Sequence, residues 1–347
     1  MQSNNKPKVN PWITAAANLY FFFLFTWSAL YVGFGDGNGY LGLANALAIY
    51  FFLPLPIFTF IALRIKISRL IISSAAALVI FVLIWGSQLL PKSSQIAENQ
   101  PSLRVMTFNI LGRAGNHEPV LQAIREEDPD LLFLQELTPD MAIILNEQLS
   151  EVFPYQIFEP GSRSRGHGVM SKYPLEETNI VLDGNWTGTP QVLALHWQET
   201  EITLVNFHTI PTANIWPRWV GLTFDRRELA LQNLANFAAQ QAQYGPLIVA
   251  GDANTTRLSD AYKSVAEVLQ DSWLEAGFGF GHSFPGPYEE GKTFAQISIF
   301  RLPYWMVSID YIFHSTEMSA SRTWMGAYYG GTDHRSVVTE LFFHADS

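Results

Sequence analysis

Charge is absent from most of the first 90 residues, and that absence limits what this part of the chain can become. No charged side chain stands between Lys8 and Asp36, between Asp36 and Arg64, or between Arg69 and Lys92. The apolar runs inside these gaps cover residues 11–34, 40–63 and 70–90. As a helix, each is long enough to cross a hydrocarbon core of ~30 Å. A soluble helix of that length would need a polar face, and none is present. The first run is too long for a signal peptide, lacks a small-x-small cleavage site and is followed by two more such runs. Three transmembrane helices are therefore expected, with Pro54 and Pro56 predicting a kink or a local end in the second. They also explain why only 15% of the chain is charged, which is low for a soluble enzyme.

The positive residues set a topology. Lys6 and Lys8 precede the first run, and Arg64, Lys66 and Arg69 lie between the second and third. Only Asp36 marks the Gly-rich turn at 33–39. The positive-inside rule places the N-terminus and the 64–69 loop in the cytoplasm. Three spans then put everything after Leu90 outside a cell (inner) membrane. The lack of cysteine fits either compartment. Residues 91–101 are polar and read as a tether, and 102–347 as a separate domain.

That domain is strand-rich. Apolar, strand-like runs cover 103–110, 130–135, 168–171, 191–197, 202–207, 247–250, 308–313 and 336–343. Helices are expected at 118–127, with Asn116 as cap and Pro119 in the first turn, and at 139–149. A longer one at 226–241 carries Leu229, Leu231, Leu234 and Phe237 on or near its apolar face. Such alternation suggests two facing sheets with helices outside.

Polar residues stand where these strands end. Asn109 closes a Thr-Phe-Asn-Ile run, and Glu136 follows Gln135 after an apolar strand. His208 lies in Asn-Phe-His-Thr at 206–209, and Asp252 and Asn254 lie in Gly-Asp-Ala-Asn at 251–254. Asp310 lies in Ile-Asp-Tyr, and Asp333 and His334 in Thr-Asp-His-Arg at 332–335. Oxygen ligands suit a hard divalent cation, and histidines suit proton transfer and oxyanion stabilisation. Taken singly, each has a plainer reading. Glu136 could sit in a salt bridge, and Asp252 with Asn254 could form an Asx turn. The histidines lack a compact zinc spacing.

All five motifs in this order, from about 103 to 343, resemble the endonuclease/exonuclease/phosphatase superfamily. The resemblance implies a four-layer α/β/β/α sandwich of the DNase I type. It implies an enzyme that hydrolyses phosphoesters by in-line attack of water with Mg²⁺, or Mn²⁺, as cofactor. By the same resemblance Glu136 is the principal metal ligand, with Asn109 beside it and Asp333 nearby. Asp252 orients or deprotonates the water, and Asn254 hydrogen-bonds the phosphate. Asp310 pairs with His334, which contacts a phosphoryl oxygen or shuttles a proton. His208, where some relatives have Tyr, stabilises the pentacovalent transition state. His167, beside the strand at 168–171, and Arg227, opening the long helix, are candidate substrate contacts. A substrate-facing role for His282 is a weaker expectation, while His117, His196, His314 and His344 read as surface or packing residues.

Charge and aromatic content bear on the substrate. After Leu90 there are 16 basic residues against 30 acidic ones, a formal charge of −14. A duplex-DNA binder gains most of its non-specific affinity by neutralising phosphates, so nucleic acid is the weaker partner. Two aromatic-rich loops flank the motifs: 210–224 with Trp216, Trp219 and Phe224, and 277–305 with Phe278, Phe280, Phe284, Tyr288, Phe294, Phe300, Tyr304 and Trp305. They read either as loop packing or as an apolar rim at a membrane interface. Three spans before this domain also resemble the membrane-anchored bacterial branch linked to glycopeptide resistance. That resemblance implies a lipid-linked pyrophosphate such as undecaprenyl pyrophosphate, or a phospholipid phosphodiester. The alternatives are an anchored nuclease that degrades DNA and a non-catalytic scaffold.

Overall fold

The computed structural model describes residues 10–92, 100–111, 117–212, 217–287, 294–297 and 300–344. Three helical segments near the N-terminus are long and apolar enough to cross a membrane: Pro11–Phe34, Ala48–Ile65 and Ser68–Leu89. The first is one helix, α1 (Pro11–Phe34), capped by the Asn10 side chain. The last is α4 (Ser68–Trp85) with a 3-10 turn after it.

The second apolar run breaks at Pro54 and Pro56, as expected, but its span begins later than the 40–63 expected. It divides into α2 (Gly39–Ala46), a 3-10 turn (Ala48–Phe52) and α3 (Leu55–Ile65). Two causes are visible. Pro54 and Pro56 lack the N–H that a continuing helix needs. The glycines of α2 let it press against a later helix, α7 (Pro217–Gln241). A Cβ on Gly39 would lie 2.6 Å from the Gly221 nitrogen, and one on Gly42 would lie 2.3 Å from the Phe224 ring. Residues 39–46 thus belong to the junction with the following domain, and the apolar span begins at Ala48.

Asn45, 2% exposed, ties that junction together. Its Oδ1 accepts from the Trp27 indole at 3.1 Å, and its Nδ2 donates to the Gly35 carbonyl and to Asp36 Oδ1. Apolar surroundings make each such bond costly to lose. Asn45→Leu conserves bulk but leaves the indole N–H and two acceptors unpaired. It should destabilise the junction by about 1–3 kcal/mol per stranded group, read as a lower melting temperature of the full-length protein in detergent.

The remainder is the expected four-layer α/β/β/α sandwich. Its first strands and helices are β1 (Ser102–Asn109), α5 (Glu118–Glu127), β2 (Leu131–Gln135) and α6 (Pro139–Leu149). Then come β3 (Tyr155–Glu159), β4 (His167–Ser171), β5 (Leu175–Glu177), β6 (Gln191–Trp197) and β7 (Thr200–His208). After α7 follow β8 (Leu247–Asp252), α8 (Asp260–Ala266), β9 (Gln270–Asp271) and α9 (Ser272–Ala276). A hairpin of β10 (Ala295–Ile297) and β11 (Phe300–Leu302) precedes β12 (Asp310–His314), β13 (Met318–Met325) and β14 (Val337–Phe343). One sheet has the order β13-β14-β1-β2-β4-β3 and the other β5-β6-β7-β8-β12-β9. Only β1 with β2 and β7 with β8 pair in parallel within them.

Period-two alternation builds the layers. In β1, Leu103 and Val105 join the core between the sheets, while Met106 and Phe108 pack outward under α5 and α6. In β7, Ile202 and Leu204 face inward, and Val205 and Phe207 outward under α7. Each fully buried Leu, Ile, Val or Phe contributes about 1.5–3 kcal/mol. On α7 the buried stripe runs through Arg227, Ala230, Leu231, Leu234, Ala235 and Ala238, with Phe237 partly buried. Leu229, expected on or near the apolar face, is 49% exposed, because it lies off the i, i+3, i+4 stripe those residues define. The predicted cap Asn116 lies outside the described residues, as do 93–99 of the predicted tether.

Candidate active site

The inward phase of each central strand ends on a polar residue. Asn109 continues the phase of Leu103 and Val105, His208 that of Ile202 and Leu204, and Asp252 that of Ile248 and Ala250. Asp310 continues the phase of Ile312. Register aligns them: His208 is opposite Asp252, and Asp252 is opposite Asp310. Core alternation therefore delivers the candidate residues to one end of the sandwich.

There they meet. Asn109 Nδ2 donates to Asp252 Oδ2 at 3.0 Å and lies 3.3 Å from Glu136 Oε1. This joins the two sheets across the cleft. Glu136 itself follows β2 in the left-handed region, φ +60°. His208 Nε2 stands 3.4 Å from Asp252 Oδ2. His334 Nδ1 contacts Asp310 Oδ2 at 2.9 Å, and its Nε2 lies 3.8 Å from Asp252 Oδ2 and 3.9 Å from Asp333 Oδ1. Asn254, φ +47°, donates its backbone N–H to Asp252 Oδ1 and its Nδ2 to the Thr209 carbonyl.

Asp252, Asp310 and His334 each offer a ligand atom within 4.8 Å of the others, all buried. Asp310 Oδ1 is buried without a hydrogen-bond partner among the described residues. With Glu136 and Asp333 close by, the donor set is rich in carboxylate oxygen, as a hard cation requires.

The electrostatics separate the histidines. Burial alone would lower the His334 pKa, but Asp310, Asp252 and Asp333 outweigh it and push it up to about 10. Burial lowers His208, against the pull of Glu136. Asp252 is raised by burial and by the like charge of Asp310. One imidazole is thus charged and one neutral on either side of a weakly acidic carboxylate.

His167 and Arg227 sit differently from a surface contact. His167 is 1% exposed and stands behind His208, ring centroids 6.5 Å apart. Burial and then His208 lower its pKa to about 3, against a hydrogen bond to the Arg165 carbonyl. The fold therefore holds it neutral, whereas the unfolded chain takes up a proton near 6.5. Its contribution to stability is complete above about 6.5 and is lost as pH falls from there toward about 3. His167→Gln should flatten the acid limb of melting temperature against pH. Arg227, also 1% exposed, donates to the Ile210 carbonyl and to Thr212 Oγ1 at 2.7 Å, over the Phe224 ring at 4.3 Å. It braces the segment after His208. His282 is partly buried and bonds the Trp305 carbonyl at 2.8 Å.

Several supporting residues had no role assigned from sequence, although they stand inside the motifs. Thr332, fully buried, donates to the Asn109 carbonyl at 2.8 Å and accepts from the His334 N–H at 3.2 Å. Gln135 and Asn206 join across the sheets at 2.8 Å, directly beneath the cluster, with Thr107 and Gln191 completing the network. For Thr107, Gln135, Gln191 and Asn206, a polar residue at an inward-facing strand position was the signal.

The endonuclease/exonuclease/phosphatase family model matches residues 106–334, spanning every candidate residue above. The chain belongs to the endonuclease/exonuclease/phosphatase family. Enzymes of this family hydrolyse phosphoester bonds and use divalent metals. Solved structures with the same fold include TDP2 from C. elegans, at TM-score 0.55 and 15% identity, covering 84% of this chain and 92% of that one. An endonuclease/exonuclease/phosphatase from Beutenbergia cavernae DSM 12333 aligns at TM-score 0.51 and 19% identity, over 70% and 72% of the two chains. Another from Bacteroides vulgatus does so at 0.51 and 19%, over 71% and 100%. No curated protein matches the chain in sequence.

The family domain is seated on the apolar helices by the loops that flank the cluster. Asp36 and Asp260 exchange backbone N–H to carboxylate bonds of 2.7 and 3.2 Å. The Tyr50 hydroxyl donates to the Met306 carbonyl at 2.6 Å, and the Gly279 N–H to the Gln88 carbonyl at 2.7 Å. Of the aromatic loop, Phe280 packs into the core of the apolar helices, and Phe284 covers the His334 ring at 4.8 Å. Trp305 packs on Tyr328, and Phe278 and Phe294 are exposed. Trp216 and Tyr288 lie outside the described residues.

Proposed function

We propose that this protein is a membrane-resident, metal-dependent hydrolase of a lipid-linked phosphate or pyrophosphate, acting from the outer side of the membrane. One observation carries the reading. The segments that follow Asn254 and precede Asp310 rest on the apolar helices through Leu258, Gly279, Phe280 and Met306, and α7, which follows His208, packs on α2. The cluster therefore stands beside the anchor, where a lipid head group would lie. The acidic charge of the domain adds weight against nucleic acid.

Glu136 and Asn109, with Asp333, would hold Mg²⁺ or Mn²⁺ through oxygen. When bound, a divalent cation there would supply the positive charge that neutralises and polarises the phosphate. The chain's own groups supply the rest. Asp252, buried and raised in pKa, is placed to orient a water and take its proton. His334, fixed through Nδ1 by Asp310, presents a charged Nε2–H to a phosphoryl oxygen or leaving group. His208, on the other side of Asp252, donates to the developing charge. Asn254 keeps a second amide hydrogen for the phosphate.

The test is phosphoester hydrolysis by the purified full-length protein in mixed micelles, read as released phosphate, as phosphocholine or as nicked DNA. Polyprenyl pyrophosphate, phosphatidyl phosphate, sphingomyelin and plasmid DNA form the panel, with Glu136→Ala as control. Lipid hydrolysis that needs Mg²⁺ and is lost in the variant is expected. Nicking of DNA with inert lipids would overturn the lipid assignment.

A further inference from the structure

An apolar groove of about 540 Å³ opens between α1 and α2. Phe23, Leu30 and Phe34 of α1 form one wall, Leu41 and Ala44 of α2 the other, and Asn38 with Tyr40 the upper end. We infer that this groove receives the hydrocarbon chain of the enzyme's own lipid substrate and so fixes its phosphate at the catalytic cluster. The inference rests on the lipid reading of the site.

Position argues for this occupant. From Phe23 to Phe34 the groove follows α1 for 11 residues, about 16 Å of helix. That is roughly half of a ~30 Å hydrocarbon core, from mid-membrane to the end where the catalytic domain docks. A chain lying there would present its head group at the level of Asn38. The opposite face of α2 is packed on α7 through Gly39 and Gly42. There Phe224 lies beneath Arg227, which holds the segment just after His208. The groove wall is thus linked through α7 and Arg227 to the segment that carries on from His208.

The wall is also fixed. Asn45 binds α2 to Trp27 and to the turn at Gly35 and Asp36. Asp36 is in turn held by Asp260 of the catalytic domain, and a Cβ on Gly35 would lie 2.1 Å from Asp260 Oδ2. Helix pairs that dimerise in membranes bring small residues into close contact. This surface is instead concave and aromatic, with Phe23 and Phe51 meeting edge to face at 5.1 Å. Its volume falls within the ~300–1,000 Å³ of small-molecule sites. These features suit a flexible chain better than a second helix.

Leu30→Trp with Ala44→Leu fills the groove without touching the catalytic cluster. In the full-length protein, KM for long-chain lipid substrates, polyprenyl and diacyl assayed separately, should rise about tenfold, as for two lost methylene contacts. The kcat for a chain-free chromogenic phosphoester that the wild type accepts should stay unchanged, which also reports an intact fold. Equal KM for lipid in variant and wild type would overturn the inference.

A second measurement separates it from the functional reading. A polyprenyl phosphate with a diazirine in its tail should label Leu30, Phe34 or Leu41 in the wild type. Labelling of the exposed α4 residues Leu78 and Leu83 to the same extent, or cross-links between two copies through the groove, would overturn it. Failure to hydrolyse any lipid, with the groove labelled, would refute the functional reading and leave the chain site standing.

Discussion

His334→Gln should lower kcat on any accepted phosphoester by about 10²–10⁴. The glutamine amide can still donate to Asp310, so a buried carboxylate is not stranded. What disappears is the charged imidazole whose Nε2 faces Asp252 and Asp333. Asp310→Asn should produce a loss of the same order, because the amide neither fixes the tautomer nor sustains the charge that Asp310 helps confer. The double variant should be no worse than the weaker single one, since the two act as a unit. Initial rates with a chromogenic phosphodiester and saturating Mg²⁺ decide this. Additive losses would mean that the pair does not work as one device.

Gly251→Ala should have the largest effect on stability. Gly251 pairs with Phe207 in the parallel ladder, and an added Cβ would lie 1.9 Å from the Phe207 carbonyl oxygen. Backbone must give way, and overpacking of this kind costs about 3 kcal/mol or more. The strands that separate are those carrying His208 and Asp252, which now stand 3.4 Å apart. Denaturant unfolding should show a lower midpoint, and the surviving folded fraction should show reduced kcat. An unchanged midpoint would mean that β8 moves freely away from β7, contrary to the packing described.

The sandwich and its polar strand ends were legible because one rule produces both. Alternation that buries Leu103 and Val105 also carries Asn109 to the cleft, and the same holds for Asp252 after Ile248 and Ala250. The motifs then narrow the chemistry to phosphoester hydrolysis. The arrangement of the apolar helices was less legible. Apolar length says where a span fits, but not that Gly39 and Gly42 turn α2 onto α7. Those contacts join residues 182 apart in sequence, and no local pattern encodes them. His167 and Arg227, candidate substrate contacts by sequence, are both buried, one behind His208 and the other against the segment that follows it. Leu229 shows the converse, a leucine one step off the buried stripe of α7.

The central claim is that the catalytic cluster stands against the membrane. The chain has no cysteine, so single-cysteine variants report cleanly. Phe278→Cys and Tyr244→Cys replace residues that are 65% and 83% exposed. Phe278 adjoins Gly279, which bonds the end of the anchor, whereas Tyr244 lies beyond α7. In nanodiscs, a spin label at 278 should be relaxed by oxygen dissolved in the bilayer, and one at 244 only by a water-soluble reagent. Equal response of both labels to the aqueous reagent alone would contradict the account.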